Sequence, residues 1–255
     1  DLSHSLACDI AVLTNITPDH LDRYDGFTGY CASKERLFSF QHQDQLAIIA
    51  CDDDPSRMIS SRINHRLNRV HASDVTDQSH WPTLQGPHNA QNVAIAVSVA
   101  QALGIDAATI ERGLATYPGL PHRMERIREL DGVLYVNDSK ATNATSAAPA
   151  LGAYPAIHWI LGGQAKTDDL DACAPYFSHV KAAYTIGDAA DLFEGLLQSH
   201  IPVTNAGTLE AAILAARAAA KSGETVLLSP ACASFDQFRD FEARGDAFRA
   251  FVEAL

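Results

Sequence analysis

The second half of the chain alternates short apolar runs with helix-like stretches, and this rhythm restricts what it can fold into. Apolar runs occur at Val133–Val136, Ile157–Leu161, Ala182–Ile186 and Val226–Leu228, with a shorter one near Ile201–Thr204. Helix-like segments separate them, notably Leu209–Lys221 and Phe235–Leu255. Such a pattern predicts an α/β fold with a mostly parallel sheet and covering helices. Ligands of such sheets gather outside the carboxyl ends of the strands. The polar clusters fall at those ends: Asn137-Asp138-Ser139-Lys140, Gly162-Gly163-Gln164-Ala165-Lys166, Gly187-Asp188, and the run from Ser229 to Ser234.

The first half reads differently. Strands are expected at Ile10–Thr14 and Leu46–Ala50, and helices at Thr28–Phe40, Gln91–Leu103 and Ala107–Ala115. From Asp52 to Pro87 the chain is polar with weak periodicity, and no strand is placed there. Tyr117-Pro118-Gly119-Leu120-Pro121 is a cluster of breakers and the expected boundary between two domains, 1–119 and 120–255. A length of 255 residues suits one large or two smaller domains. The opening residue is Asp1 rather than Met, so the chain is expected to be part of a longer protein.

A net charge of −12 argues against non-specific nucleic-acid binding and against an anionic membrane surface. The five cysteines are widely spaced, without a C-x-x-C pair, so neither a disulfide framework nor a zinc site is expected. That favours a reducing, cytoplasmic setting. No apolar run is long enough to span a bilayer.

Several clusters carry possible chemistry. Thr14-Asn15-Ile16-Thr17-Pro18-Asp19-His20-Leu21-Asp22-Arg23 sets an imidazole and two carboxylates at a strand exit. It reads either as a divalent-cation site or as a proline turn with Asp19 capping a short helix. Lys34 sits within an apolar stripe of Phe27, Tyr30, Cys31, Leu37 and Phe38. It is either a snorkelling lysine or a functional one whose charge is matched or altered. Gly86-Pro87-His88-Asn89-Ala90-Gln91-Asn92 opens a helix, with Asn89 as its expected cap. Arg123, at the boundary, can clamp a phosphate or tie domains by an ion pair. Asp138 and Lys140 share one side of an extended segment. Lys166 is either a loop lysine or a partner for a carboxylate. In the string Leu228-Ser229-Pro230-Ala231-Cys232-Ala233-Ser234-Phe235-Asp236-Gln237-Phe238, Ser234 and Gln237 have capping-box spacing. Phe235, Phe238, Phe241, Phe248 and Phe251 read first as the core stripe of the helix that follows.

That last string resembles the C-terminal domain of the Mur ligases, on the branch that adds D-glutamate. The run Asn137-Asp138-Ser139-Lys140-Ala141-Thr142-Asn143 is similar to the family's N-D-S-K-A-T-N signature. The Thr14–Asp22 segment resembles its T-N-x-x-x-D-H-L-D stretch, and Gly86–Asn92 its G-x-H-N-x-x-N. The resemblance implies the later part of a central ATPase domain followed by a Rossmann-like domain. It implies ATP and Mg2+ as cofactors, and amide-bond formation through an acyl phosphate. The implied substrates are UDP-N-acetylmuramoyl-L-alanine and D-glutamate, in a cytoplasmic, monomeric enzyme of cell-wall precursor synthesis.

By the same resemblance His20 contacts magnesium, and Lys34, carbamylated, helps hold a second ion. Asn92, with Asn89, approaches adenine. Arg123, Asp138, Lys140 and Thr142 serve the nucleotide. Lys166, Ser234 and Phe241 serve the amino acid. Two rivals are a related Mur or folylpolyglutamate-type ligase and a non-catalytic nucleotide-binding module. One departure matters: no G-x-x-x-x-G-K-[ST] phosphate loop occurs in these residues. The 255 residues alone are therefore expected not to catalyse the reaction.

Overall fold

The computed structural model describes residues 6–18 and 23–255. They form two compact units, Asp1–Tyr117 and Pro118–Leu255.

Unit one is built on a parallel sheet of β1 (Ile10–Leu13), β2 (Leu46–Ala50) and β3 (Arg66–Val70), in that order. The central strand β2 reads Leu-Ala-Ile-Ile-Ala and is buried along its whole length, as expected for a parallel strand covered on both faces. Ala47 and Ile49 point to one side with Phe38 of α1 (Gly26–Ser39) and Ile59 of α2 (Asp54–Arg62). Ile48 and Ala50 point to the other with Ala94 and Ile95 of α3 (Pro87–Ala102). A last helix, α4 (Ala107–Thr116), follows. The polar stretch 52–87, left without elements by sequence periodicity, holds α2 and β3. Asp53 caps α2 by accepting from Ser56 N at 2.8 Å.

Unit two is a six-stranded sheet in the order β4-β5-β9-β6-β7-β8. Its strands are β4 (Glu125–Leu130), β5 (Val133–Asn137), β6 (Ile157–Gly162), β7 (Val180–Ile186), β8 (Val203–Gly207) and β9 (Thr225–Leu228). Five run parallel. β4 alone is antiparallel, joined to β5 by a hairpin at Asp131 and Gly132, whose φ values are 55° and 76°. Such left-handed pairs are typical of tight hairpins.

One face of this sheet carries α5 (Ala144–Leu151), a 3-10 segment (Asp171–His179) and α6 (Ala190–Leu197). These pack around Trp159, Leu161, Leu151 and Phe193. The other face carries α7 (Leu209–Ala219) and α8 (Phe241–Glu253), packed on Ile160, Tyr184, Ile213 and Phe248. The mostly parallel α/β architecture matches the sequence expectation.

The helix expected from Phe235 starts later. Ser234 accepts Gln237 N and Phe238 N through its backbone carbonyl in a turn. The cap of α8 is Asp240, which accepts from Ala243 N at 2.7 Å. Only part of the expected phenylalanine stripe is core. Phe248 is fully buried and Phe238 and Phe251 are partly so, whereas Phe235 is 68% exposed.

Candidate functional site

Parallel strands deliver their carboxyl ends to one edge, and in unit two the exits of β5, β9 and β6 are immediate neighbours. These exits carry Asp138, Lys140 and Thr142 (after β5), Ser234 (after β9) and Lys166 (after β6). Lys140 and Lys166 are exposed, Thr142 is half-buried, and Ser234 and Asp138 are buried. The loops are stitched together. Gln164 N donates to Ala233 O at 2.9 Å, and Ala233 N donates to Gln164 O at 3.0 Å. Asp236 Oδ2 accepts from Asp188 N, beyond β7, at 3.0 Å.

The approach is so close that side chains are excluded. A Cβ on Gly162 would overlap Ile186 O, and one on Gly163 would overlap Ala233 O; their φ values are 124° and 122°. Both glycines thus supply backbone that no other residue adopts easily, and room for a second chain.

A shallow cavity of about 340 Å3 opens beside the β5 exit. It is lined by Leu120, Pro121, His122, Arg123, Lys140, Phe241 and Glu242. The Lys140 ammonium stands 4.5 Å from the centroid of the Phe241 ring. His122 and Met124 have left-handed backbone, φ 59° and 49°. Contacts with the β5 exit hold this turn. Met124 N donates to Asp138 Oδ1 at 3.1 Å, Lys140 N donates to His122 O at 3.0 Å, and Asn137 Nδ2 lies 3.1 Å from His122 Nδ1. Arg123 is thereby presented, exposed, at the cavity. Two cations and an aromatic ring around a concave surface can bind a phosphorylated, planar ligand.

Beneath the cavity, Asp138 also accepts from Ser229 Oγ at 2.8 Å. Burial pushes its carboxyl up to about 7, against the opposing pull of these hydrogen bonds and of Arg123. Trp159 Nε1 donates to Ser229 O at 2.7 Å and braces the β9 exit from below.

In unit one the strand exits also converge, through Asn15 and Gln91 of two segments singled out from the sequence and through Asp52, to which sequence reasoning gives no role. Asn15 Nδ2 donates to Gln91 Oε1 at 3.2 Å, and Gln91 Nε2 donates to Asp52 Oδ2 at 2.7 Å. Asp52 in turn accepts from Ala72 N, beyond β3. The signal was the Asp52-Asp53-Asp54 cluster directly after an apolar run. Gly86 (φ 88°), not Asn89, occupies the cap of α3, with Pro87 in its first turn. Asn89 Nδ2 instead donates to Gln85 O at 3.0 Å, and Asn92 Nδ2 donates to Asn89 Oδ1 at 3.5 Å.

Lys34 is exposed. Its ammonium lies 5.1 Å from the Tyr30 ring centroid, so the stem crosses the apolar stripe and the head reaches solvent. His20, with Asp19 and Asp22, lies outside the described residues. A larger cavity of about 660 Å3, among β3, α3 and α4, contains none of the residues singled out from the sequence.

Residues 1–84 match the Mur ligase middle domain, and residues 122–232 match the Mur ligase, glutamate ligase domain. The chain belongs to the Mur ligase family. Similar curated Mur ligases carry the name UDP-N-acetylmuramoylalanine--D-glutamate ligase. The protein from Sphingopyxis alaskensis is 62% identical over all of this chain, and the one from Novosphingobium aromaticivorans 58%. The chain spans 60% and 59% of their respective lengths.

Solved Mur ligases share the fold. A UDP-N-acetylmuramoylalanyl-D-glutamyl-2,6-diaminopimelate--D-alanyl-D-alanyl ligase from Acinetobacter baumannii superposes with a TM-score of 0.67. It has 18% identity, over 96% of this chain and 58% of its own. The UDP-N-acetylmuramate-alanine ligase of Thermotoga maritima gives 0.65 at 13% identity, over 96% of this chain and 60% of its own.

Proposed function

We propose that this chain is the part of an ATP-dependent ligase that receives D-glutamate and joins it to UDP-N-acetylmuramoyl-L-alanine. The observation that carries this reading is the adjacency of three loops. Lys140, Ser234 and Lys166 leave neighbouring strands β5, β9 and β6, and so can serve one anionic ligand or two that react. The names of the relatives support the choice of substrates.

In this reading the alanyl carboxylate takes the γ-phosphoryl group of ATP and ADP leaves; the amine of D-glutamate then attacks the acyl phosphate, and phosphate leaves as the amine gives up a proton. Arg123 and Lys140 neutralise phosphate charge, an electrostatic contribution that grows as charge develops in the transition state. Thr142 borders the nucleotide, buried Asp138 supports from beneath the turn that presents Arg123, and in unit one Asn89 and Asn92 are the candidates for an adenine. Lys166 pairs with a D-glutamate carboxylate, and Ser234 and Phe241 flank the amino acid.

Magnesium enters this proposal through His20 and a carbamylated Lys34. Lys34 faces solvent over Tyr30, and no group of three His, Cys, Asp or Glu suited to a metal occurs among the described residues. Among the described residues no helix is long and apolar enough to cross a membrane; a cytoplasmic, monomeric enzyme completes the proposal.

The test is ATP-dependent phosphate release by the complete reading frame, with UDP-N-acetylmuramoyl-L-alanine and a panel of D-glutamate, L-alanine and meso-diaminopimelate. Turnover with D-glutamate alone is expected. Preference for another amino acid would point to a related ligase, and nucleotide binding without turnover to a non-catalytic module. The 255 residues by themselves, without a phosphate loop, are expected to release no phosphate.

A further inference from the structure

We infer that Arg244 is a positioning residue that holds the Lys140, Lys166 and Ser234 loops in mutual register for the ligase reaction proposed above. Arg244 lies in the first turn of α8 and is only 1% exposed. Its guanidinium faces all three strand exits. Nε donates to Ser139 Oγ at 3.0 Å, and Nη2 donates to Ser139 O at 2.8 Å and to Cys232 O at 3.0 Å. Nη1 lies 3.4 Å from Ala233 O and 3.5 Å from Gly162 O. Ser139 immediately precedes Lys140, and Cys232-Ala233 immediately precede Ser234. Gly162 opens the short loop that ends at Lys166.

Every one of these acceptors is uncharged. Burying an ion is costly even after relaxation; the Asp236 carboxylate acts on this one only through space and accepts no hydrogen bond from it. Anchoring α8 does not require that cost, because Phe248 and Val252 already bury the helix against the sheet. What an arginine adds is a planar fork with five N–H donors in fixed directions, able to join three backbone segments at once.

The surrounding sequence is fitted to the fork. A Cβ on Gly163 would lie 3.2 Å from Arg244 Nη1. Ser139 Oγ donates to Phe241 O at 2.8 Å, which returns the network to the start of α8 and to the ring beneath Lys140. A lysine has three tetrahedral donors and cannot reproduce this geometry. Reacting groups tolerate displacements of well under 1 Å, so a slack clamp should be felt in catalysis before it is felt in folding.

The test compares the complete protein with its Arg244→Lys and Ser139→Ala variants, in two measurements. Backbone hydrogen exchange without substrates is independent of the reaction. Arg244→Lys is expected to raise exchange about ten-fold at 138–142, 163–166 and 232–236 together, leaving β6, β7 and α7 within about two-fold. Ser139→Ala should affect 138–142 and the first turn of α8 only. Unchanged loops, or a uniform rise across unit two, would overturn the inference, as would failure of both variants to fold.

Steady-state kinetics well below the unfolding temperature supply the second measurement. KM for D-glutamate and for ATP are each expected to rise about ten-fold in Arg244→Lys, with a fall in kcat. Values within two-fold of the parent would overturn the inference. If the parent shows no D-glutamate-dependent turnover, the reaction reading fails instead, and the exchange result alone decides the role of Arg244.

Discussion

The ammonium of Lys140 and the ring of Phe241 stand 4.5 Å apart, one at the exit of β5 and the other at the first residue of α8. Phe241 therefore belongs to the cavity wall rather than to the hydrophobic stripe of its helix. A cation over an aromatic face at an exposed site is worth about 0.5–1 kcal/mol. Phe241→Leu keeps an apolar side chain but removes the π-face. It is expected to raise KM for ATP about two- to five-fold in the complete enzyme without changing the urea midpoint. Steady-state kinetics with varied ATP check this, and an unaltered KM would sink it.

Asp138 gives a pH signature. Its carboxyl is raised to about 7 in the fold, against about 3.9 in an unfolded chain. A raised acid favours the protonated native state, so its stabilising contribution is complete below about pH 4. That contribution is lost as pH rises through about 7. Asp138→Asn keeps an acceptor for Met124 N and a donor for Ser229. The variant should match the parent near pH 4 and exceed it above pH 7 by on the order of 4 kcal/mol. Urea unfolding at several pH values measures the difference; a gap independent of pH would contradict the assignment.

Gly163→Ala tests the closeness of the β6 and β9 loops. The added methyl would overlap Ala233 O on a backbone with φ 122°, and the Gln164–Ala233 bridge would have to open. A loss of about 2–4 kcal/mol is expected, read from denaturant unfolding. Tolerance within 0.5 kcal/mol would mean that the loops part more readily than their geometry indicates.

At the opposite edge of the sheet, buried His158 joins Glu224 at 2.9 Å and the Tyr184 hydroxyl at 3.0 Å. His158→Phe leaves that hydroxyl buried without its partner and should cost about 1–3 kcal/mol. Its distance from the strand exits predicts unchanged kcat and KM. The His158 hydrogen bond also lowers the Glu224 carboxyl below its ordinary value. That part of the stability is present above the unfolded carboxylate range and is lost as pH falls through the lowered value. Unfolding and kinetics together decide; altered turnover would show that this edge communicates with the loops.

Much of the fold was legible because parallel strands are buried on both faces. Leu46–Ala50 and, apart from His158, Ile157–Leu161 therefore read as apolar runs. β4 escaped notice because Glu125–Leu130 is rich in charge, as suits an edge strand, although the Asp131-Gly132 pair after it is a hairpin signal. Ser234 and Gln237 suggested a cap, but the turn there is closed by backbone carbonyls, so the helix begins at Phe241. Lys34 occupies its expected stripe, yet its stem is long enough to carry the charge out to water. Arg244 offered no signal, since a charged residue near a helix start reads as solvated.

What the sequence determined by itself was local. It set which segments are extended or helical, and which hydroxyls, cations and glycines follow each strand, because side-chain periodicity and turn chemistry act over a few neighbouring residues. The tertiary structure decided that β9 inserts between β5 and β6, which makes the loops of Lys140, Ser234 and Lys166 neighbours, and that the Arg244 guanidinium faces all three. Strand order depends on pairing between residues far apart in the chain, and burial of a charge depends on what surrounds it, so neither is written in any local stretch.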